Sequence, residues 1–143
     1  MTTVSTSSIS WEPGQELEPL TLPPVERLQL IKYAGASGDF NPIHTVDAFA
    51  AEIGLPGIIQ HGMLTMAEMA RPFSPYLDRG MIQHFETRFS GMVMLGDVLT
   101  ISPRVSSHET TEAGDAYKFD VPATNQKGET VAKGKVTFLV RRP

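Results

Sequence analysis

The sequence predicts an α+β domain, and three observations carry that prediction. Apolar residues recur at helical spacing in the first half of the chain, whereas apolar and polar residues alternate with period two in the second half. Residues 63–70 contain only Thr65 and Glu68 as polar members, and a helix apolar over most of its circumference is normally buried on several sides. Helices segregated from strands, with one helix that needs a wrapping, fit a curved antiparallel sheet packed round a central helix.

The elements follow in chain order. The opening MTTVSTSSIS is polar, rich in Ser and Thr, and lacks the basic and apolar regions of a secretory signal, so residues 1–10 read as a flexible tail and 11–143 as the domain. Residues 16–22 alternate loosely and form a short first strand, stopped by Pro23-Pro24. Pro24 suits the first turn of a helix. Val25, Leu28, Ile31 and Ala34 then recur at helical spacing, which predicts an amphipathic helix over 25–36. The stretch SGDFNPIH, residues 37–44, is an irregular turn: Gly38 permits backbone angles closed to other residues, and Pro42 biases Asn41 away from the helical region. Thr45 caps a short helix that closes at Gly54. Leu55-Pro56-Gly57 turns into the central helix, which Pro72 ends.

Strands follow. Residues 82–89 place Phe85 and Phe89 on one face. Leu99, Ile101 and Val105 oppose Thr100, Ser102 and Arg104. Tyr117, Phe119, Val121 and Ala123 alternate with Lys118 and Asp120, and Ala132, Gly134, Val136, Phe138 and Val140 alternate with Lys133, Lys135 and Thr137. Residues 112–115 and 125–129 read as hairpin loops, and Pro103 and Pro122 mark edges or bulges.

Composition narrows the function classes. A chain of 143 residues is one domain of ordinary size with a core that needs no staples. It has no cysteine, hence neither disulfides nor thiolate metal sites, which is compatible with the cytoplasm, its expected location. Twelve basic and 16 acidic residues give a net charge of −4, a poor basis for nucleic-acid binding. No apolar run approaches the roughly 20 residues of a spanning helix, so no membrane partner is expected. The four histidines lack HxxxH or HExxH spacing, so no metal is expected. GxSxG, P-loop and GxGxxG patterns are absent.

Two places carry candidate chemistry. Asp39 and His44 stand five residues apart; on a helix they would diverge by about 140°, but a turn can bring them together. An imidazole titrates near neutrality, and a carboxylate can orient it or share its proton work. Asn41 could fix the turn or hold a water. The plain alternative is a turn-forming Asp and a surface or core His. His61-Gly62 lies just before the apolar helix, where backbone N–H groups lack partners; without a side chain, Gly62 would let an oxyanion approach its N–H. Its plain alternative is tight packing against the sheet. Met63, Met66 and Met69 read as core filler, and His84 and His108 as ordinary strand or loop residues.

Residues 33–47, YAGASGDFNPIHTVD, closely resemble the hydratase-2 motif of MaoC-like (R)-specific enoyl-CoA hydratases, and 57–64, GIIQHGML, resemble a second block of that family. The resemblance runs from about Trp11 to the end, specific over 33–70 and architectural beyond. It implies a hot-dog fold, usually dimeric, and reversible syn addition of water to a trans-2-enoyl thioester, giving the (R)-3-hydroxyacyl thioester. It also implies that Asp39 and His44 hold and deprotonate the water, that the Gly62 N–H binds the thioester carbonyl, and that Asn41 and His61 serve substrate binding. The substrate would be an acyl-CoA or an acyl-carrier-protein thioester, CoA being part of the substrate and no cofactor being needed. A homodimer or higher homo-oligomer is expected, or a heteromer. Some members carry a serine six residues past the histidine of the second block; here Ala67 stands there. Arg71, Arg88 and Arg104 are candidates for CoA phosphates by charge alone. A hot-dog thioesterase and a non-catalytic acyl-thioester-binding subunit are the competing readings.

Overall fold

The computed structural model describes residues 8–142. Residues 1–7 of the expected tail lie outside that range, while Ile9 packs against the core. Six strands form one antiparallel sheet: β1 (Leu20–Thr21), β2 (Gly80–Phe89), β3 (Thr100–Ile101), β4 (Arg104–Thr111), β5 (Gly114–Thr124) and β6 (Thr130–Arg141). Their order is β1-β3-β5-β6-β2, with β4 pairing β5 beyond the end of β3. The predicted alternation holds. Tyr117, Phe119, Val121 and Ala123 of β5 are buried, as are Ala132, Val136, Phe138 and Val140 of β6. Pro122 sits opposite the break between β3 and β4, where its carbonyl accepts from the Ser102 N–H at 3.2 Å. Its missing donor therefore interrupts no continuous ladder.

Helix α1 (Arg27–Ser37) ends at Gly38, whose φ of 75° places it in the left-handed region. A 3-10 turn follows over Pro42–His44, then α2 (Asp47–Glu52) and α3 (Gly62–Ala70). Pro72 ends the α-helix as expected, but the chain continues as a 3-10 helix over Arg71–Tyr76. The sheet meets α3 closely at Gly134: a Cβ there would lie 2.9 Å from Met69 Cε and 3.3 Å from Phe85 Cε2. Beyond the end of α3, Trp11 sets its ring edge-to-face against Tyr76, Tyr117 and Phe119, at centroid distances of 5.0, 5.1 and 5.3 Å. A helix against one face of an antiparallel sheet that does not close is the hot-dog fold implied by the sequence.

Three expectations are corrected. In α1 the buried residues are Leu30 and Ala34, while Leu28 and Ile31 are 57% and 50% exposed. Val25 is held outside the helix by backbone bonds with Asp97 and Gly96, so it does not set the helical phase. In α3 the buried side includes both polar residues: Thr65 and Glu68 are buried beside Leu64 and Met69, while Met63 is 59% exposed. Only Met69 of the three methionines is fully core. Finally, α2 is preceded by Val46 rather than Thr45, because Thr45 closes the 3-10 turn by donating its N–H to the Pro42 carbonyl.

Candidate active site

The turn between α1 and α2 is assembled by its own side chains. The Ser37 hydroxyl accepts from the Asp39 N–H at 3.1 Å, Asp39 Oδ1 from the Asn41 N–H at 3.2 Å, and Asn41 Oδ1 from the Ile43 N–H at 3.2 Å. Each short polar side chain thus supplies the acceptor two residues on, the pattern that diverts a backbone from helix. Arg27 reaches across from α1 and pairs with Asp47 Oδ2 at 2.8 Å, fastening the far side of the turn.

This turn brings the predicted pair together. His44 Nε2 lies 3.6 Å from Asp39 Oδ2; His44 is buried and the Asp39 side chain is 49% exposed. That separation is longer than a direct hydrogen bond. The other imidazole nitrogen, Nδ1, lies 2.7 Å from the Ile59 carbonyl oxygen. A carbonyl only accepts, so Nδ1 carries the hydrogen, and in the neutral ring Nε2 faces Asp39 with its lone pair. Two acceptors therefore face one another across a gap, an arrangement suited to a shared donor.

His61 lies beneath. Its ring stacks on His44 at a centroid distance of 3.8 Å and an angle of 21°, and meets Tyr33 at 4.8 Å. His61 is 1% exposed; its Nε2 stands 3.3 Å from the Asp39 carbonyl oxygen, while Nδ1 is buried without a partner among the described residues. Burial, reinforced by the neighbouring His44, pushes the His61 pKa below the usual histidine value, against the pull of Asp39. The ring is thus placed to support His44 and the Asp39 turn from behind. Asp39, His44 and His61 bring one ligand atom each within 4.8 Å of one another. The two imidazoles are nearly parallel, however, so their in-plane lone pairs do not converge on a tetrahedral ion.

Gly62 opens α3, and its N–H has no hydrogen-bond partner among the described residues. The glycine also packs tightly: a Cβ would lie 3.3 Å from Phe89 Cζ. A cavity of about 180 Å³ joins His44 to Gly62 and is lined further by Ile59, Gln60, Thr65 and Phe89. Sequence reasoning passed over Gln60, Thr65 and Glu68, although polar residues inside an apolar stretch were a visible signal. Gln60 Nε2 donates to Thr65 Oγ1 at 2.9 Å and to Glu68 Oε2 at 3.0 Å, and Gln29 Nε2 donates to Glu68 Oε1 at 3.2 Å. Burial raises the Glu68 pKa, opposed by those two amides and by Arg71. Arg88 alternates with Phe89 along β2 and lines an outer groove with Lys133 and Lys135.

Solved structures of known proteins share this fold. Among solved structures, the R-hydratase PhaJ1 from Pseudomonas aeruginosa in the unliganded form is 26% identical with a TM-score of 0.79, covering 93% of this chain and 84% of that one. The (R)-hydratase from A. caviae involved in PHA biosynthesis is 26% identical with a TM-score of 0.76, covering 92% and 98%. Fatty acid synthase 2 of Mycosarcoma maydis is 33% identical over 119 residues, 74% of this chain. The chain spans only 3–4% of the length of the curated relatives it matches. The profile described as MaoC like domain matches residues 8–127, from before Trp11, through the Asp39–His44 turn and α3, to the loop after β5. By that match, the chain belongs to the MaoC-like domain family.

Proposed function

We propose that this chain is a hydro-lyase on enoyl thioesters: it adds water across a trans-2 double bond to give an (R)-3-hydroxyacyl thioester, or catalyses the reverse dehydration. The observation that carries this reading is the 3.6 Å gap between His44 Nε2 and Asp39 Oδ2, with Nδ1 committed to Ile59. One water donating to both acceptors keeps a lone pair for the β-carbon. The pair then takes a proton as the C–O bond forms, and a proton reaches the α-carbon, so that H and OH are both added and the pair is restored. The Gly62 N–H, at the start of α3, receives the charge that develops on the thioester oxygen. Asn41 holds the turn through its Oδ1; His61 contributes by holding His44. The R-hydratase neighbours and the fatty acid synthase relative support a thioester substrate and the (R) outcome. CoA or a carrier protein is then part of the substrate, and the chemistry needs no further cofactor.

We also propose that the chain works as a homo-oligomer. The ten-residue strand β2 pairs only with β6 among the described residues and exposes Met81 and Phe89, an edge that soluble proteins cover or blunt. Light scattering on the purified chain should give at least a dimer; a monomer at micromolar concentration overturns this part.

The activity test uses crotonyl-CoA, following enoyl absorbance and free thiol together. Enoyl loss without thiol is expected; thiol release would instead mark a thioesterase. Asp39→Asn and His44→Ala should each lower hydration at least about a hundredfold with the fold retained by far-ultraviolet circular dichroism. Near wild-type turnover in either variant overturns the assignment.

A further inference from the structure

Resting on the hydratase reading, we propose that Phe89 touches the substrate: its ring is the floor on which the flat enoyl group lies while the Gly62 N–H holds the thioester oxygen. Phe85 and Phe89 fall on one side of β2 by alternation, but they are used differently. Phe85 packs against the core, whereas Phe89 ends the strand with 46% of its surface bare. A single exposed apolar residue needs no explanation by itself. This one, however, lines the cavity that joins His44 to Gly62.

The ring meets Gly62 with its flat side. A Cβ on Gly62 would lie 3.3 Å from Phe89 Cζ and 3.5 Å from both Cε1 and Cε2. An approach off the tip of the ring would leave both Cε atoms well beyond Cζ. Near-equal distances instead put that point above the ring plane, at its outer end. Gly62 thus covers only the Cζ end of the face, next to an N–H with no partner among the described residues. A trans-2-enoyl thioester is conjugated from the double bond through the carbonyl, so those atoms share one plane. With the oxygen at the Gly62 N–H, that plane lies along the ring in the offset stack that aromatic faces favour. Hydration makes the β-carbon tetrahedral and ends the conjugation. The ring therefore holds the enoyl form better than a saturated acyl group of the same length. Leucine would offer similar apolar bulk without the flat face.

The test is calorimetric binding of crotonyl-CoA and butyryl-CoA, which differ only in the double bond, in the Asp39→Asn background where turnover is slow. With phenylalanine at 89, crotonyl-CoA should bind about fivefold or more tightly than butyryl-CoA. Adding Phe89→Leu should bring that ratio toward one, and adding Phe89→Tyr, which keeps the flat ring, should preserve it. In the chain with Asp39 intact, Phe89→Leu should lower kcat/KM for crotonyl-CoA by about fivefold or more, and Phe89→Tyr should restore most of it. Strand β2 is also the edge proposed to pair with a second copy. Both esters are measured on the same variant, so a change in assembly moves both alike and leaves the ratio. If Phe89→Leu does not fold, the ratio with phenylalanine in place decides. Equal binding of the two esters with phenylalanine present, or an unchanged ratio in Phe89→Leu, overturns this inference alone. No turnover of crotonyl-CoA by the wild-type chain overturns the hydratase reading and this inference with it.

Discussion

Asp39 and His44 owe their meeting to three side chains that each hold a backbone N–H: those of Ser37, Asp39 and Asn41. This much was legible from the sequence, because Gly38, Asn41 and Pro42 act locally and exclude a helix. The stacking of His61 on His44 was not legible, since it depends on the segment before α3 docking beneath the turn through the Ile59 N–H bond to the Ile43 carbonyl, at 3.1 Å. Gly62 allows a test at this scale. Gly62→Ala places a methyl against the Phe89 ring, which lies at a half-exposed strand end and can shift by a few tenths of an ångström. Stability should change by less than about 1 kcal/mol. Hydration should drop at least about tenfold, because the methyl crowds the N–H that the thioester oxygen needs. Urea unfolding alongside crotonyl-CoA kinetics separates the two effects; unchanged kinetics would remove Gly62 from the mechanism.

At the scale of elements, the strands were legible and the faces of the helices were not. Alternation fixes a strand's two faces with no further information, and β5 and β6 bury the residues that it names. A helix's buried face depends on what it packs against. The apolar count of α3 pointed to burial on several sides, yet the inner side carries Thr65 and Glu68 because Gln60 and Gln29 are there to bond them. In α1 the apolar Leu28 and Ile31 face outward, since Leu30 and Ala34 set the phase. The contact between β6 and α3 gives a second prediction. Gly134→Val drives branched carbons into Met69 Cε and Phe85 and should cost about 1–3 kcal/mol by overpacking. Gly134→Ala should cost less, as the end of Met69 is flexible. Chemical denaturation of both variants checks the order; equal costs would mean that the helix does not rest on the sheet at this point.

For the molecule as a whole, two buried titratable groups shape stability against pH in opposite senses. The folded His61 pKa lies below its unfolded value near 6.5, so its contribution is intact above about pH 6.5 and is lost as pH falls toward the folded value. The folded Glu68 pKa lies above its unfolded value near 4.5, so its contribution is greatest below about pH 4.5 and is lost as pH rises through the folded value. Denaturant midpoints of wild type and His61→Gln at pH 7.5 and 5 test the first. The wild type should lose more stability on acidification than the variant; parallel losses would show that His61 protonates freely in the fold. Every residue proposed for the chemistry lies before the long strands begin: Asp39 and His44 on one short segment, Gly62 on another, and the bond from His44 to Ile59 as the clasp between them. The clasp can therefore open while the strands stay paired. On warming, turnover should be extinguished some degrees before the far-ultraviolet β signal collapses, and cooling from that interval should bring turnover back.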